Sequence, residues 1–318
     1  MSVKIAVLDW ATVTADGDIS PDCLSELGEV SIYPLTSPDE TIEHIGDADV
    51  VLCNKVLITR EVMDNCPNLR YVGLFATGFN NVDIEYAAKK GIAVCNAGQY
   101  STDAVAQQTF AYILDYFSRV RDYDRLVKEG KWENSPTFSH FPLKISELAG
   151  KTLSVVGFGS IGRRVAQLGA AFGMNVVVAV RRTPENCPYE ITDIPTAAAK
   201  ADVLTFHCPL TEQTKGVISR ELLGTMKSSA VLINTARGGI ADESAVAEAL
   251  EKGRIAAYYT DVLEKEPMNP STPLKNAPNC VITPHTAWAA QETRHRLMGI
   301  VCGCVKAWMQ GSPVNKVN

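Results

Sequence analysis

Three stretches of this sequence combine residue types and spacings that can do chemistry. The first is Gly157-Phe158-Gly159-Ser160-Ile161-Gly162, a G-x-G-x-x-G pattern. Alone the pattern is weak, because glycine turns are common. Here it follows an apolar run at 153–156, opens a helix-like run at 163–172 and precedes a second apolar run at 176–180. That context reads as strand, tight turn and helix, with the helix N-terminus offered to a pyrophosphate. Gly157 would make the turn, Gly159 would let the backbone approach the phosphates, and Gly162 would let helix and strand pack closely.

The second stretch is Asn234-Thr235-Ala236-Arg237-Gly238-Gly239. An arginine just past a buried strand and just before a glycine pair is poised to grip a carboxylate with its planar, two-pronged guanidinium. The third is a pair of segments: Asp261 to Pro267, which contains Glu266, and Thr283-Pro284-His285-Thr286-Ala287-Trp288. A carboxylate beside His285 would fix its tautomer and stabilise the imidazolium, making a proton donor for a carbonyl oxygen. Taken singly, Arg237 also reads as a loop arginine and His285 as a structural histidine. Their setting at the ends of predicted strands favours chemistry. His207 also ends a strand but has no acidic partner in sequence, and reads as structural.

The elements that must hold these residues alternate. Strands are expected at 3–8, 30–33, 50–53, 71–75 and 92–95. Helices are expected at 21–27 (Ser20 as N-cap, Pro21 in first position), 39–45, 60–65 and 82–90, the last closed by Gly91. Strands alternating with helices imply a parallel sheet covered on both faces. Residues 101–131 read as one long helix or two joined ones, with Val105, Phe110, Ile113, Leu114, Phe117, Val120 and Leu126 as an apolar face. That face suits domain packing or a subunit interface. Residues 132–143 read as a loop. From 153 the alternation restarts, with strands at 153–157, 176–180, 202–207, 230–235, 256–260 and 280–283, and helices at 160–172, 195–200, 219–226 and 242–252. Six strands with helical crossovers fit a doubly wound dinucleotide-binding domain. A last helix, 289–310, can return to the first domain. The expected division is 1–98 plus 291–318 as one discontinuous domain and 99–290 as the other.

Composition narrows the class. A formal net charge of −6 offers no basic surface for nucleic acid or an anionic membrane. No apolar run reaches the roughly 18 residues that span a bilayer. The N-terminus enters a strand without a signal-peptide pattern, so a cytoplasmic location is expected. The nine cysteines are odd in number and scattered, which reads as reduced, mostly buried thiols, and none has metal-ligand spacing. Gly150-Lys151-Thr152 ends like a phosphate-binding P-loop, but Ile145 stands where that loop needs glycine.

The motifs in this order resemble the D-isomer-specific 2-hydroxyacid dehydrogenases. The resemblance runs over nearly the whole chain: ATGFNNVD at 76–83, GFGSIG at 157–162, NTARGG at 234–239, DVLEKEP at 261–267 and TPHTAW at 283–288. It implies a Rossmann-type cofactor domain inserted into a flavodoxin-like substrate domain, both α/β with doubly wound parallel sheets, and a homodimer. It implies that Arg237 holds the substrate, Glu266 orients His285 and His285 moves the proton. Ala76, Thr77 and Gly78 would present N–H groups to the substrate carboxylate, with Trp288 nearby. Gly157, Gly159, Ser160, Ile161, Gly162, Arg181, Arg182, Cys208, Pro209, Thr235, Ala236, Asp261, His285 and Ala287 would line the cofactor.

One position departs from the family pattern. NAD enzymes of this type carry an acid at the end of the second strand to bind the ribose hydroxyls. Here that place is Val180, followed by Arg181 and Arg182. Two cations can receive a 2′-phosphate, which favours NADP over NAD. The alternative is that the arginines stack on adenine or face solvent. ATGFNN, Asn54-Lys55 and Trp288 are similar to the hydroxypyruvate reductases (glycerate dehydrogenases), so hydroxypyruvate or glyoxylate is the expected keto acid. A larger substrate such as D-lactate is the alternative within the class. A dinucleotide-dependent co-repressor-like binding protein is the alternative outside it.

Overall fold

The computed structural model describes residues 2–318. It divides into two compact units: 1–101 with 289–318, and 102–288.

In the first unit β1 (Val3–Val7), α1 (Asp22–Ser25), β2 (Gly28–Ile32), α2 (Thr41–Ile45), β3 (Val50–Cys53), α3 (Arg60–Asn65), β4 (Tyr71–Leu74), α4 (Ile84–Lys89) and β5 (Ala93–Cys95) follow in turn. The strands pair in parallel in the order β2-β1-β3-β4-β5. β3, β4 and β5 are wholly buried, which is why they read as unbroken apolar runs. α1 is shorter than expected. Ser20 Oγ still accepts the Asp22 N–H at 3.2 Å, but Pro21 is the residue that precedes the helix.

The second unit opens with α5 (Thr102–Ser118) and α6 (Val120–Lys128), two helices parted at Arg119, whose φ is +51°. α5 buries Val105, Ala106, Thr109, Phe110, Tyr112, Ile113 and Phe117. Of the expected apolar face, Leu114 and Val120 are left 37% and 69% exposed. Then come β6 (Thr152–Val156), α7 (Ser160–Ala171), β7 (Asn175–Ala179), β8 (Glu190–Thr192), α8 (Ile194–Lys200), β9 (Val203–Phe206), α9 (Arg220–Thr225), β10 (Val231–Asn234), α10 (Glu243–Glu251), β11 (Ala257–Thr260) and β12 (Cys280–Ile282). The sheet has seven strands, β12-β11-β10-β9-β6-β7-β8, all parallel. The expected count of six missed β8. It is a three-residue edge strand with no fully buried residue, so it carries no apolar run to read.

The last helix, α11 (Gln291–Met309), belongs to the first unit. Trp308 packs on Tyr71 of β4 with ring centroids 5.2 Å apart. Arg294 donates to both carboxylate oxygens of Asp18, at 2.7 and 2.6 Å. The reading of all cysteines as reduced is corrected here. α11 lies on α1 and brings Cys23 and Cys302, 279 residues apart in sequence, to a Cα separation of 6.2 Å, where they form a disulfide. That proximity is tertiary and leaves no spacing to read.

Candidate active site

The glycine turn follows β6, at the point where the sheet order reverses between β6 and β9. Each glycine has its own steric reason. Gly157 has φ +92°, and a Cβ on it would lie 2.8 Å from the His207 carbonyl and the Cys208 N–H at the end of β9. A Cβ on Gly162 would lie 2.0 Å from the Gly157 carbonyl oxygen, so the first turn of α7 closes on the strand only without one. A Cβ on Gly159 would meet nothing within 4 Å, leaving that backbone open to a ligand. Ser160 and Ile161 begin α7, whose N-terminus carries the positive end of the helix dipole. This fits a dinucleotide pyrophosphate.

His207 sits behind this turn. Its Nε2 is 3.0 Å from Thr205 Oγ1 and its Nδ1 is 3.4 Å from Thr235 Oγ1. Burial lowers its pKa to about 3, so it stays neutral and bridges the ends of β9 and β10. Burial also pushes the adjacent Cys208 thiol up to about 11, which keeps it unreactive. Pro209 accepts a hydrogen bond from Thr214 Oγ1 at 2.7 Å. Val180 follows β7, and Arg181 and Arg182 after it are exposed. Among the described residues neither forms an ion pair.

Arg237 follows β10 in extended conformation. The buried Asn234 clamps the turn: its Oδ1 accepts the Ala236 N–H at 3.0 Å and its Nδ2 donates to the Arg237 carbonyl at 3.0 Å. A Cβ on Gly238 would lie 1.8 Å from the Leu263 carbonyl carbon. The glycine therefore lets the arginine turn press against the segment that leads to Glu266. Glu266 follows β11, and its Oε1 accepts the Leu263 N–H at 3.0 Å. His285 follows β12, with its Nδ1 2.6 Å from Glu266 Oε2. Because a carboxylate accepts, His285 Nδ1–H donates, and Nε2 is the nitrogen left for another partner.

The loop carrying His285 is held from beneath by Asp261. Asp261 is 2% exposed. Its Oδ1 accepts from the Thr283 hydroxyl and from the Thr286 N–H at 2.9 Å, and its Oδ2 accepts the Ala287 N–H at 2.8 Å. Its carbonyl accepts the His285 N–H at 2.9 Å. Burial raises its carboxyl pKa, while these donors oppose the rise. His285 has φ +56°, a left-handed conformation uncommon outside glycine and persistent only where surroundings enforce it. Trp288 is half-buried at the end of the same segment. β10, β11 and β12 are neighbours in the sheet, so Arg237, Glu266 and His285 emerge from one edge. Sequence reasoning placed these three but missed the use of Asp261 as a loop anchor.

In the first unit, Ala76, Thr77 and Gly78 lie in the loop after β4. It is pinned by Ala97 N–H to the Ala76 carbonyl at 2.9 Å, Asn96 Nδ2 to the Thr77 carbonyl at 2.8 Å, and the Thr77 hydroxyl to the Gly98 carbonyl. Among the described residues, the N–H groups of 76–78 make no hydrogen bond of their own. Asn54 is buried after β3, and its N–H and that of Lys55 donate to the Asp9 carboxylate at 2.8 and 2.6 Å. Among the described residues no three His, Cys, Asp or Glu side chains cluster as a metal site, and no helix is long and apolar enough to cross a membrane.

The glycine turn and the residues beyond β10, β11 and β12 have the chemistry of a nicotinamide-dependent dehydrogenase, and comparison with known proteins shows the family. Residues 110–287 match the family model of the D-isomer specific 2-hydroxyacid dehydrogenase NAD binding domain. The chain belongs to that family. It is 38% identical to a hydroxypyruvate reductase of Blautia hydrogenotrophica over 99% of this chain and 100% of that protein. It is 35% identical to a glycerate dehydrogenase of Methylorubrum extorquens, over 88% of this chain and 89% of the other. An NADPH-dependent glyoxylate/hydroxypyruvate reductase of Sinorhizobium meliloti, solved with NADP and malonate, superposes with a TM-score of 0.84 at 27% identity, covering 100% of this chain and 97% of that one.

Proposed function

We propose that the protein reduces a small 2-keto acid, hydroxypyruvate or glyoxylate, to the D-2-hydroxy acid, with NADP preferred over NAD. The observation that carries the reading is the His285–Glu266 pair at 2.6 Å, beside Arg237 at the same sheet edge. The nicotinamide, when bound, supplies the hydride that reaches the keto carbon. Arg237 binds the substrate carboxylate and polarises the keto oxygen. His285 delivers the proton to that oxygen from Nε2, since Nδ1 is held by Glu266. Glu266 stabilises the imidazolium before transfer. The backbone N–H groups of Ala76, Thr77 and Gly78 are donors suited to a carboxylate, and Trp288 limits the size of the substrate.

The pyrophosphate is assigned to the turn from Gly157 through Gly159 and Gly162 with Ser160 and Ile161. The remaining cofactor surface is assigned to Cys208, Pro209, Thr235, Ala236, Asp261, His285 and Ala287. The NADP preference rests on Val180, Arg181 and Arg182, and is supported by the cofactor of the Sinorhizobium relative. The unit 1–101 with 289–318 takes the substrate role and 102–288 the cofactor role. We also propose a homodimer through α6 and the segment after it. Val120, Val127, Trp132, Phe138, Phe141 and Ile145 are exposed there by 43–92%, an apolar surface of the kind that marks an interface.

The test is turnover of hydroxypyruvate, glyoxylate and pyruvate with NADPH and with NADH, followed by loss of reduced-nicotinamide absorbance. Turnover of the first two with NADPH preferred supports the proposal. No turnover of any of the three would leave a binding protein as the better reading.

A further inference from the structure

The geometry points to Tyr112 as a positioning residue for the proton donor, acting through Thr283 and Asp261 on the loop that carries His285. The inference rests on the reading of His285 as that donor. Tyr112 lies on α5 and is 4% exposed. Its hydroxyl is hydrogen-bonded to Thr283 Oγ1, across 171 residues of sequence. The Thr283 hydroxyl has one proton, and it goes to Asp261 Oδ1, because an ionised carboxylate only accepts. Tyr112 must therefore donate to Thr283. The order is fixed: Tyr112 O–H to Thr283 O–H to Asp261. Burial raises the Tyr112 pKa, so the phenol keeps its proton.

Asp261 also accepts the N–H groups of Thr286 and Ala287 on its carboxylate, and that of His285 on its carbonyl. These three amides flank or belong to the residue held at φ +56°. Hydrogen bonds in such a chain polarise and strengthen one another. Removing the first donor leaves the oxygen of the half-buried Thr283 with an unfilled acceptor site, and loosens the anchor on which the left-handed conformation depends. Tyr112 is also packed on Tyr259, with ring centroids 5.3 Å apart. The ring is thereby fixed independently of its hydroxyl, and Tyr112→Phe removes the hydrogen bond with little change of packing.

The test is Tyr112→Phe, read by amide hydrogen exchange and by steady-state kinetics. Exchange at His285, Thr286 and Ala287 should speed up by about 3- to 10-fold, the worth of one neutral hydrogen bond, with β11 unchanged. The kcat for keto-acid reduction should fall by a similar factor. Thr283→Val should reproduce both effects, Thr283→Ser should show neither, and Tyr112→Phe in the Thr283→Val background should add nothing. Unchanged exchange in the loop, exchange that speeds up uniformly across the sheet, or additive losses in the double variant would each overturn the inference. Should Tyr112→Phe not fold, the contrast between Thr283→Ser and Thr283→Val decides it. A wild type that reduces no 2-keto acid would remove the reading of His285 as a donor, while the exchange data would still decide the anchoring.

Discussion

Glu266 Oε2 and His285 Nδ1 are 2.6 Å apart, and the two side chains stay 36% and 30% exposed. The pair is close enough for the charge of Glu266 to support an imidazolium, yet open enough for a substrate to reach the other ring nitrogen. Glu266→Gln keeps the shape and removes the charge. Reduction needs the protonated ring, so losing the charge that supports it should lower kcat by roughly 10-fold or more, the effect of about 1.4 kcal/mol. The check is kcat for keto-acid reduction by variant and wild type, and equal values would remove Glu266 from this role.

The proposed preference for NADP rests on Arg181 and Arg182, which follow Val180 and are exposed. Charge-assisted hydrogen bonds from arginine to phosphate are worth about 1.5–3 kcal/mol each, reduced toward the lower end by exposure. Changing both to Ala should therefore raise the KM for NADPH by about 10-fold or more, with a much smaller effect on NADH. The preference should shrink as salt is added, because exposed charges are screened. Equal losses for both cofactors would mean that the arginines bind the shared adenosine or pyrophosphate.

Gly238 is a steric requirement. A Cβ there would overlap the Leu263 backbone at 1.8 Å, whereas one on Gly239 would meet only the Leu210 side-chain tip at 3.1 Å. Gly238→Ala should cost about 1–3 kcal/mol or more, as overpacking does, and Gly239→Ala much less. Denaturant unfolding of the two variants checks this, and equal midpoints would contradict it.

Much of this site was legible because α/β sheets keep their chemistry at strand ends. The glycine fingerprint, Arg237, Glu266 and His285 each follow an apolar run, so position could be inferred from residue type. β8 was missed because three residues at an edge, Glu190 to Thr192, bury nothing. Leu114 and Val120 belong to the apolar face over 101–131 and are left exposed, and periodicity cannot tell a core face from an interface face. The Cys23–Cys302 disulfide and the Tyr112–Thr283 contact join residues 279 and 171 positions apart, so only the tertiary fold creates them. Tyr112 in an apolar helix face reads as packing until its hydroxyl is seen to have a destination.

Asp18 ties the N-terminal segment to α11 through Arg294, and the guanidinium holds its carboxyl well below the usual aspartate range. A depressed folded-state pKa contributes stability above the unfolded value and loses it as pH falls through the folded value. At neutral pH the bridge is fully formed, and its contribution should fade only below about pH 4, where unfolded aspartate begins to bind protons. Asp18→Asn should destabilise the protein at neutral pH and converge with the wild type in acid. Thermal unfolding across that range is the check, and a constant difference between the two would contradict the ion-pair account.

His285 is the proposed donor of the proton to the keto oxygen. The most direct measurement is kcat for hydroxypyruvate reduction by His285→Ala beside the wild type, with cofactor binding measured separately. A positioned acid is worth roughly 10²- to 10⁴-fold, so turnover should fall by that factor while cofactor affinity survives. Turnover that matches the wild type would show that His285 is structural, and would contradict the account of the site.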